Sequence, residues 1–516
     1  MKATVTFYLW IYSTALFAQI PHEGWFDYDS QANGPAWIFT TDYGYITFSG
    51  LADIETYNKG CLVTGLNVDG EVLWHKPLWS NEGIWPMNFG GAVIEAIDSG
   101  YYLLLNKRIT EELSYPVVLR VNQYGDTLWS KALLADEPGF YSGFSISQSP
   151  LGDLFMAGQV DIDPEQFEFN QKFTLMKADS EANYLWHLNT TVGNYPVPIS
   201  IVATESEIVV GGKLWDAPTD QSWGITKDLI RKFDYDGTPQ WTTKIHVPPA
   251  GAEAGVYSLV PLVNGNYLYA TGRSGGTLSG SGETSNTDTQ PTIGEIDGET
   301  GDTIVEYEFH DQQVTQQFFK LIKLSEGGYL GVGQHIDPED GPSNDWPIGF
   351  MIKLDENLNQ VWYRYFVPSI WEGMGRWNNL TDVVENENGT YTAVGLLYTY
   401  TGDGPQGGFI QDTYIITVDS LGCIVPGCEV SVEEFNYKQD INIYPNPTKE
   451  NLIMEFPFTD NWTISIYNSY GQIVFKEFIM QSGKNQMSVS ALPVGIYFAQ
   501  ATTAEGKIFT QRFIKT

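Results

Sequence analysis

Seven tryptophans stand in the longer polar stretches of this 516-residue chain: Trp79, Trp85, Trp215, Trp223, Trp346, Trp371 and Trp377. Carboxylates accompany them, among them Glu82, Asp216, Asp220, Asp345 and Glu372. An indole offers a flat apolar face, and a carboxylate beside it accepts hydrogen bonds from hydroxyls or amides. Together they suit a sugar ring or a peptide. Two such carboxylates facing one another would be the pair that cleaves a glycosidic bond. The competing reading of each ring is packing that pins its own loop.

Other chemistry is thin. The six histidines, His22, His75, His187, His246, His310 and His335, show no metal-ligand spacing. No Gly-x-Ser-x-Gly nucleophile elbow is present. The glycine-, serine- and threonine-rich run 273–291 lacks the lysine and following helix of a phosphate loop. Asp161, Asp163 and Glu165, and Asp337, Glu339, Asp340 and Asp345, are acid clusters that could hold Ca²⁺, but neither has the spacing of a calcium loop. No cofactor is expected. With 27 basic and 63 acidic residues the net charge is −36, which repels phosphate backbones and argues against a nucleic-acid partner.

A repeated phrase positions these residues. Asp234-Tyr235-Asp236-Gly237 leads to Trp241, and the same turn recurs from Asn67 to Trp74, Asn122 to Trp129 and Asp355 to Trp362. Weaker copies run from Asp179 to Trp186, with Ala182 for glycine, from Asp297 to Val305, and from Asp419 to Pro426. Asp or Asn with Gly supplies the positive φ of a tight hairpin. Each copy follows a second hairpin, such as Leu262 to Leu268, whose second strand ends near glycine. The anchor slots are separated by 55, 57, 55, 64, 57 and 64 residues. Two hairpins per unit give four strands, and seven such units predict a seven-bladed β-propeller. Short turns within hairpins alternate with long connections between them, so one face is plain and the other elaborated. The seven tryptophans fall on the elaborated face. The docking phrase resembles that of quinoprotein-like propellers, and whole units such as Phe350 to Trp362 resemble the repeats of secreted Bacteroidetes propellers.

The ends carry the address. Residues 1–18, with Lys2 before the apolar run Val5–Phe17, read as a signal peptide, and no later run is long enough to span a bilayer. The propeller occupies residues 19–430, where Cys423 and Cys428 around a Pro-Gly turn are placed to form a disulfide in an oxidising compartment. Cys61 reads as a small buried hydrophobe. A polar linker, 431–440, precedes a β-rich module, 441–516, read as a small β-sandwich. Its residues Tyr444, Pro445, Asn446 and Pro447, then Gly471, then Gly495 and Tyr497, resemble the type A C-terminal sorting domain of the type IX (Por) secretion system. That resemblance implies the type IX machinery as partner and passage through the periplasm to the cell surface or medium.

The chain is therefore expected to be all-β: a propeller followed by a sandwich. The leading function is non-catalytic binding of glycan or protein. The alternatives are a secreted polysaccharide hydrolase or lyase using carboxylates of the elaborated face, and a purely structural surface protein.

Overall fold

The computed structural model describes residues 22–26, 32–52, 59–79, 84–86, 92–109, 113–134, 139–161, 171–193, 195–216, 225–245, 255–274, 289–309, 315–336, 347–366, 378–401, 408–424, 442–456, 462–468, 473–479, 483–502 and 508–516. Every regular element among them is a β-strand. The chain divides into two compact units, Met1–Gly427 and Cys428–Thr516.

In the first unit the strands form successive antiparallel arrays. The first holds Ala32–Thr41, Gly44–Ala52, Lys59–Leu66 and Val72–Trp79. The second holds Val93–Glu95, Tyr101–Arg108, Ser114–Val121 and Thr127–Ala132, with Ile84–Pro86 added against Tyr101–Arg108. The third, Phe140–Gln148, Leu154–Asp161, Lys172–Ala178 and Tyr184–Thr190, joins the second in one sheet through a single parallel pair, Phe140 with Ser114. The fourth is Tyr195–Ala203, Glu207–Asp216, Ile225–Asp234 and Pro239–Ile245. The fifth is Val256–Pro261, Tyr267–Ser274, Thr289–Ile296 and Thr303–Glu308. The sixth is Thr315–Lys323, Tyr329–Ile336, Ile348–Leu354 and Gln360–Phe366. The seventh, Asn378–Glu385, Tyr391–Thr401 and Gly408–Val418, takes its fourth strand, His22–Phe26, from the opposite end of the chain.

The seventh array also packs on the first. The Ile38 N–H donates to Asp382 Oδ2 at 3.1 Å, the Tyr45 hydroxyl donates to Asn386 Oδ1 at 3.1 Å, and Phe26, Val394 and Ile415 share an apolar cluster with Ile38, Tyr45 and Leu66. The packing order is thus cyclic and propeller-like.

The repeated phrase builds the contact between neighbouring arrays. In all seven copies the first residue, Asn67, Asn122, Asp179, Asp234, Asp297, Asp355 or Asp419, accepts backbone N–H groups at its own Oδ1. This side-chain cap closes the turn. At Gly125, Gly237, Gly301 and Gly422 the residue that then enters the left-handed region stands under the indole of the preceding array. A Cβ on Gly237 (φ +87°) would come within 2.6 Å of Trp186, and one on Gly301 (φ +76°) within 2.6 Å of Trp241. Trp241 Nε1 donates to the Gly298 carbonyl at 3.2 Å, and Trp362 Nε1 to the Ser420 carbonyl at 3.0 Å. The indoles are half-buried at the rim, except Trp362, which is 6% exposed.

At the other edge, in the third, fourth, sixth and seventh arrays, the first strand carries a β-bulge opposite a glycine of the second. A Cβ on Gly333 or Gly395 would meet the carbonyl of Gln317 or Asn379. This is why second strands end near glycine. The bulged residues Ile199, Tyr257 and Phe319 gather in one apolar cluster from three consecutive arrays, with the Tyr257 and Phe319 rings 5.4 Å apart. Beside them Ser200 Oγ donates to the Val256 carbonyl at 3.0 Å, and Ser258 Oγ to the Leu321 carbonyl at 3.1 Å.

The second unit has two antiparallel sheets: Asn442–Tyr444, Asn451–Phe456 and Gly483–Ser488, and Ile473–Ile479, Trp462–Asn468, Gly495–Thr502 and Ile508–Lys515. One apolar cluster draws on both, including Leu452, Met454, Ile466, Met487, Ala499 and Phe513.

Two outcomes follow from the rim contacts. Trp241→Ala should cost about 2–4 kcal/mol, at or below the range for core truncations because the ring is half-exposed. Gly301→Ala should cost about 1–3 kcal/mol through its positive φ and the ring against it. Denaturant unfolding of the purified first unit measures both. The turn carboxylates also tie stability to pH. The backbone N–H groups of Thr300 and Glu299 hold the Asp297 carboxyl below its ordinary 3.8, and the Asn359 side chain and N–H do the same for Asp355. Depressed folded-state values stabilise fully above the unfolded value and lose that contribution as pH falls through the folded one. Stability should therefore drop below about pH 4, and the double variant Asp297→Asn with Asp355→Asn should lose less of it over that range.

Candidate functional site

Short turns such as Thr41 to Gly44 and Leu66 to Val72 leave one end of each array, so the longer connections leave the other. Three sequence-predicted tryptophans fall at that second end. Trp79 closes the strand Val72–Trp79 and is 41% exposed. Trp215 lies near the end of Glu207–Asp216, where its backbone pairs with Tyr195 and Thr226. Trp85 sits in Ile84–Pro86, opposite Asn106. Trp223, Trp346, Trp371 and Trp377 lie outside the described residues, as do Glu82, Asp220, Asp345 and Glu372. Asp216 ends its strand beside Trp215.

Trp79 borders a cleft of about 220 Å³ between the first and second arrays. Its floor is Cys61, Leu105, Val117 and Leu119, its sides Gly60 and Leu78, and its edge Thr127 and Ser130. Cys61 is a free thiol, and burial pushes it up to about 12, so it stays protonated and inert at neutral pH.

Buried carboxylates that the sequence reading passed over belong to the frame. Asp228 accepts from Thr271 Oγ1 at 2.9 Å across the fourth and fifth arrays. Asp382 accepts the Ile38 and Val383 N–H groups and has Lys320 Nζ at 3.6 Å. Their signal in the sequence was an acid inside an apolar strand. Three histidines are held in packing: His75 Nδ1 lies 3.0 Å from Thr64 Oγ1, His187 Nδ1 lies 2.6 Å from the Tyr184 hydroxyl, and His335 packs on Tyr365 at 4.3 Å. Burial lowers the pKa of His75, keeping it neutral. Of the proposed calcium ligands, Asp161 ends a strand and the others lie outside the described residues, among which no cluster of metal ligands occurs. Cys423 is buried, and Cys428 lies outside the described residues, as do residues 1–18 and 431–440.

The tail motif is geometrically complete where it is described. Pro445, Asn446 and Pro447 are exposed, yet Asn446 and Thr448 are fixed to the last strand. Asn446 Oδ1 accepts the Ile514 N–H at 2.9 Å, the Thr448 N–H donates to the Ile514 carbonyl at 2.8 Å, and the Thr516 N–H donates to the Thr448 carbonyl at 2.9 Å. Thr448 Oγ1 turns back to the Asn451 carbonyl at 2.6 Å. Tyr444 pairs with Ile453. Tyr497, two residues after Gly495, donates its hydroxyl to the Pro493 carbonyl at 2.8 Å and stacks on Phe513 at 5.6 Å. Gly471 lies outside the described residues. The opening motif and the C-terminal strand thus form one latch.

Residues 442–516 match the family described as the secretion system C-terminal sorting domain. The chain ends in a Por sorting tail. Such a tail indicates export to the cell surface or release, and interaction with the type IX secretion machinery. No curated protein matches the chain significantly. Solved structures similar to it include the β-propeller domain of the Trilobed protease from Pyrococcus furiosus, 11% identical with a TM-score of 0.38 over 74% of this chain and 93% of that one. Others are Penicillium chrysogenum α-L-arabinanase, 11% identical with a TM-score of 0.37 over 65% and 94%, and Pseudomonas brassicacearum lignostilbene dioxygenase, 8% identical with a TM-score of 0.42 over 78% and 89%.

The sorting tail makes a direct prediction. Removing residues 441–516 should leave the protein inside its native host's outer membrane, seen by fractionation and surface labelling. Normal surface display of the truncated chain would contradict the assignment.

Proposed function

We propose that the first unit is a seven-bladed β-propeller that, once exported, binds a glycan or a protein without catalysis, through the end from which the long connections leave. The second unit is read as a small β-sandwich. The route begins with a signal peptide at residues 1–18 and crosses the periplasm, where Cys423 and Cys428 pair and fix the end of the last blade.

The observation that carries the binding reading is the difference between the two ends of the arrays. At the short-turn end, side-chain caps use up the polar groups of the turns. Between the first strands, Ile199, Tyr257 and Phe319 fill the space with apolar side chains. The long-connection end is where Trp79, Trp85 and Trp215 stand, one of them with an exposed ring. Exposed indoles near acids suit the apolar face and hydroxyl rim of a sugar, or an aromatic-rich peptide.

A glycan and peptide binding screen on the purified first unit tests this. Trp215→Ala or Trp371→Ala should weaken the binding found by about tenfold or more while leaving the unfolding midpoint nearly unchanged. Trp129→Ala should lower the midpoint and spare the affinity. Turnover of a polysaccharide that vanishes on replacing Asp216 or Asp220 would contradict the non-catalytic reading.

A further inference from the structure

The junctions between neighbouring arrays share a slot that faces the residue after the anchor position, and nearly every copy holds a planar group. Between the seventh and first arrays it is His75, 5.7 Å from Phe26. Between the second and third it is His187, edge-on to Tyr141 at 6.0 Å. Between the third and fourth it is the Arg231 guanidinium, 4.6 Å from Phe173 and 4.8 Å from Phe233, which donates to Thr190 Oγ1 at 2.6 Å and Thr242 Oγ1 at 3.2 Å. Between the fourth and fifth it is Tyr269, fully buried and hydrogen-bonded to Glu306. Between the fifth and sixth it is Tyr363, stacked on Phe350 at 5.1 Å and 14°. Between the sixth and seventh, whose fourth strand comes from the N-terminus, Tyr414 is buried and donates to Glu23 Oε1 at 3.1 Å.

The junction of the first and second arrays breaks the series. There the residue after the anchor Trp129 is Ser130, and the residue matching Arg231 is Leu119. Both line the cleft of about 220 Å³ that remains. The cleft is thus an unfilled copy of a slot that elsewhere holds a flat ring.

We infer that this cleft binds one neutral aromatic ring carrying a hydroxyl, the chemistry of a monocyclic phenol. An apolar cavity of about 150 Å³ is already large enough for benzene, so the volume admits a ring with a small substituent. Leu105, Val117 and Leu119 offer an apolar floor, and Thr127 and Ser130 place hydroxyls at the edge where a phenol oxygen would emerge. Among the described residues no ionised side chain lines the cleft, which selects against a charged ligand. A pyranose fits less well, because its several hydroxyls would face aliphatic carbon. The inference goes beyond the binding face proposed above and stands whether or not that face has a ligand.

The test uses 4-methylphenol as probe, followed by ligand-observed NMR on the purified protein. Saturable binding is expected, and excess methyl glucoside should not displace it. Ser130→Tyr, which supplies the ring that Tyr363 supplies at its own junction, should weaken 4-methylphenol binding at least tenfold and leave the unfolding midpoint equal or higher. Should that variant fold poorly, Leu119→Phe fills the same space from the floor and should have the same effect on binding. Absence of binding to the wild type, displacement of 4-methylphenol by methyl glucoside, or full affinity in a folded filled variant overturns the inference.

Discussion

The docking of one array's indole on the next array's turn is the contact on which the first unit depends. A four-stranded sheet whose second and third strands are buried on both faces cannot stand alone, because each face needs a neighbour. Tyr101–Arg108 and Leu154–Asp161 are buried at almost every position, whichever side they point to. The indole binds at the rim, where the turn's side-chain cap has already set the backbone, and it requires a residue small enough to lie beneath it. The serine hydroxyls and bulges of the first strands do the same work at the opposite edge. Between these two contacts the planar groups fill what is left.

Such a chain of nearest-neighbour contacts has two weak ends unless it closes. Here the N-terminal strand His22–Phe26 supplies the outer edge of the last array, and Asp382 accepts a backbone N–H from the first. A sheet edge is thereby paired and the two ends of the repeat are tied together. The second unit shows the same economy in miniature, with Asn446 and Thr448 holding the opening motif against the final strand.

Much of this was legible in the sequence because the repeat is written in turn chemistry. Asp or Asn at one position, glycine three residues on and tryptophan four beyond that constrain the backbone strongly, so the all-β class, the alternation of short and long connections and the docking role were readable. Even the exceptions make sense: Ala182 occupies the left-handed slot at φ +57°, and Leu358 at φ +63°. Leu358 is buried in the turn of the array that follows Val305, the copy with valine in the tryptophan slot. What was hidden was set by contacts distant in sequence. Nothing local marks His22–Phe26 as the partner of Gly408–Val418, and nothing in Ile199, Tyr257 and Phe319 taken singly says that they meet. The open cleft was unreadable for the same reason, since Ser130 becomes conspicuous only beside the rings that occupy its equivalents. The seven tryptophans of the longer connections stood out as a set by where their segments fall in the repeat, whereas a ligand is specified by side-chain positions that spacing does not encode.

The most direct test of the account is a double-mutant cycle on Val305 and Leu358. If an anchor docks on the turn of the next array, Val305→Trp alone should destabilise by overfilling the slot beside Leu358. Leu358→Gly alone should destabilise by emptying it. The double variant, which restores tryptophan over glycine, should recover most of the loss, giving a coupling energy of about 1 kcal/mol or more in denaturant unfolding. Additive effects, with no coupling between the two positions, would contradict inter-array docking as the contact that holds this fold together.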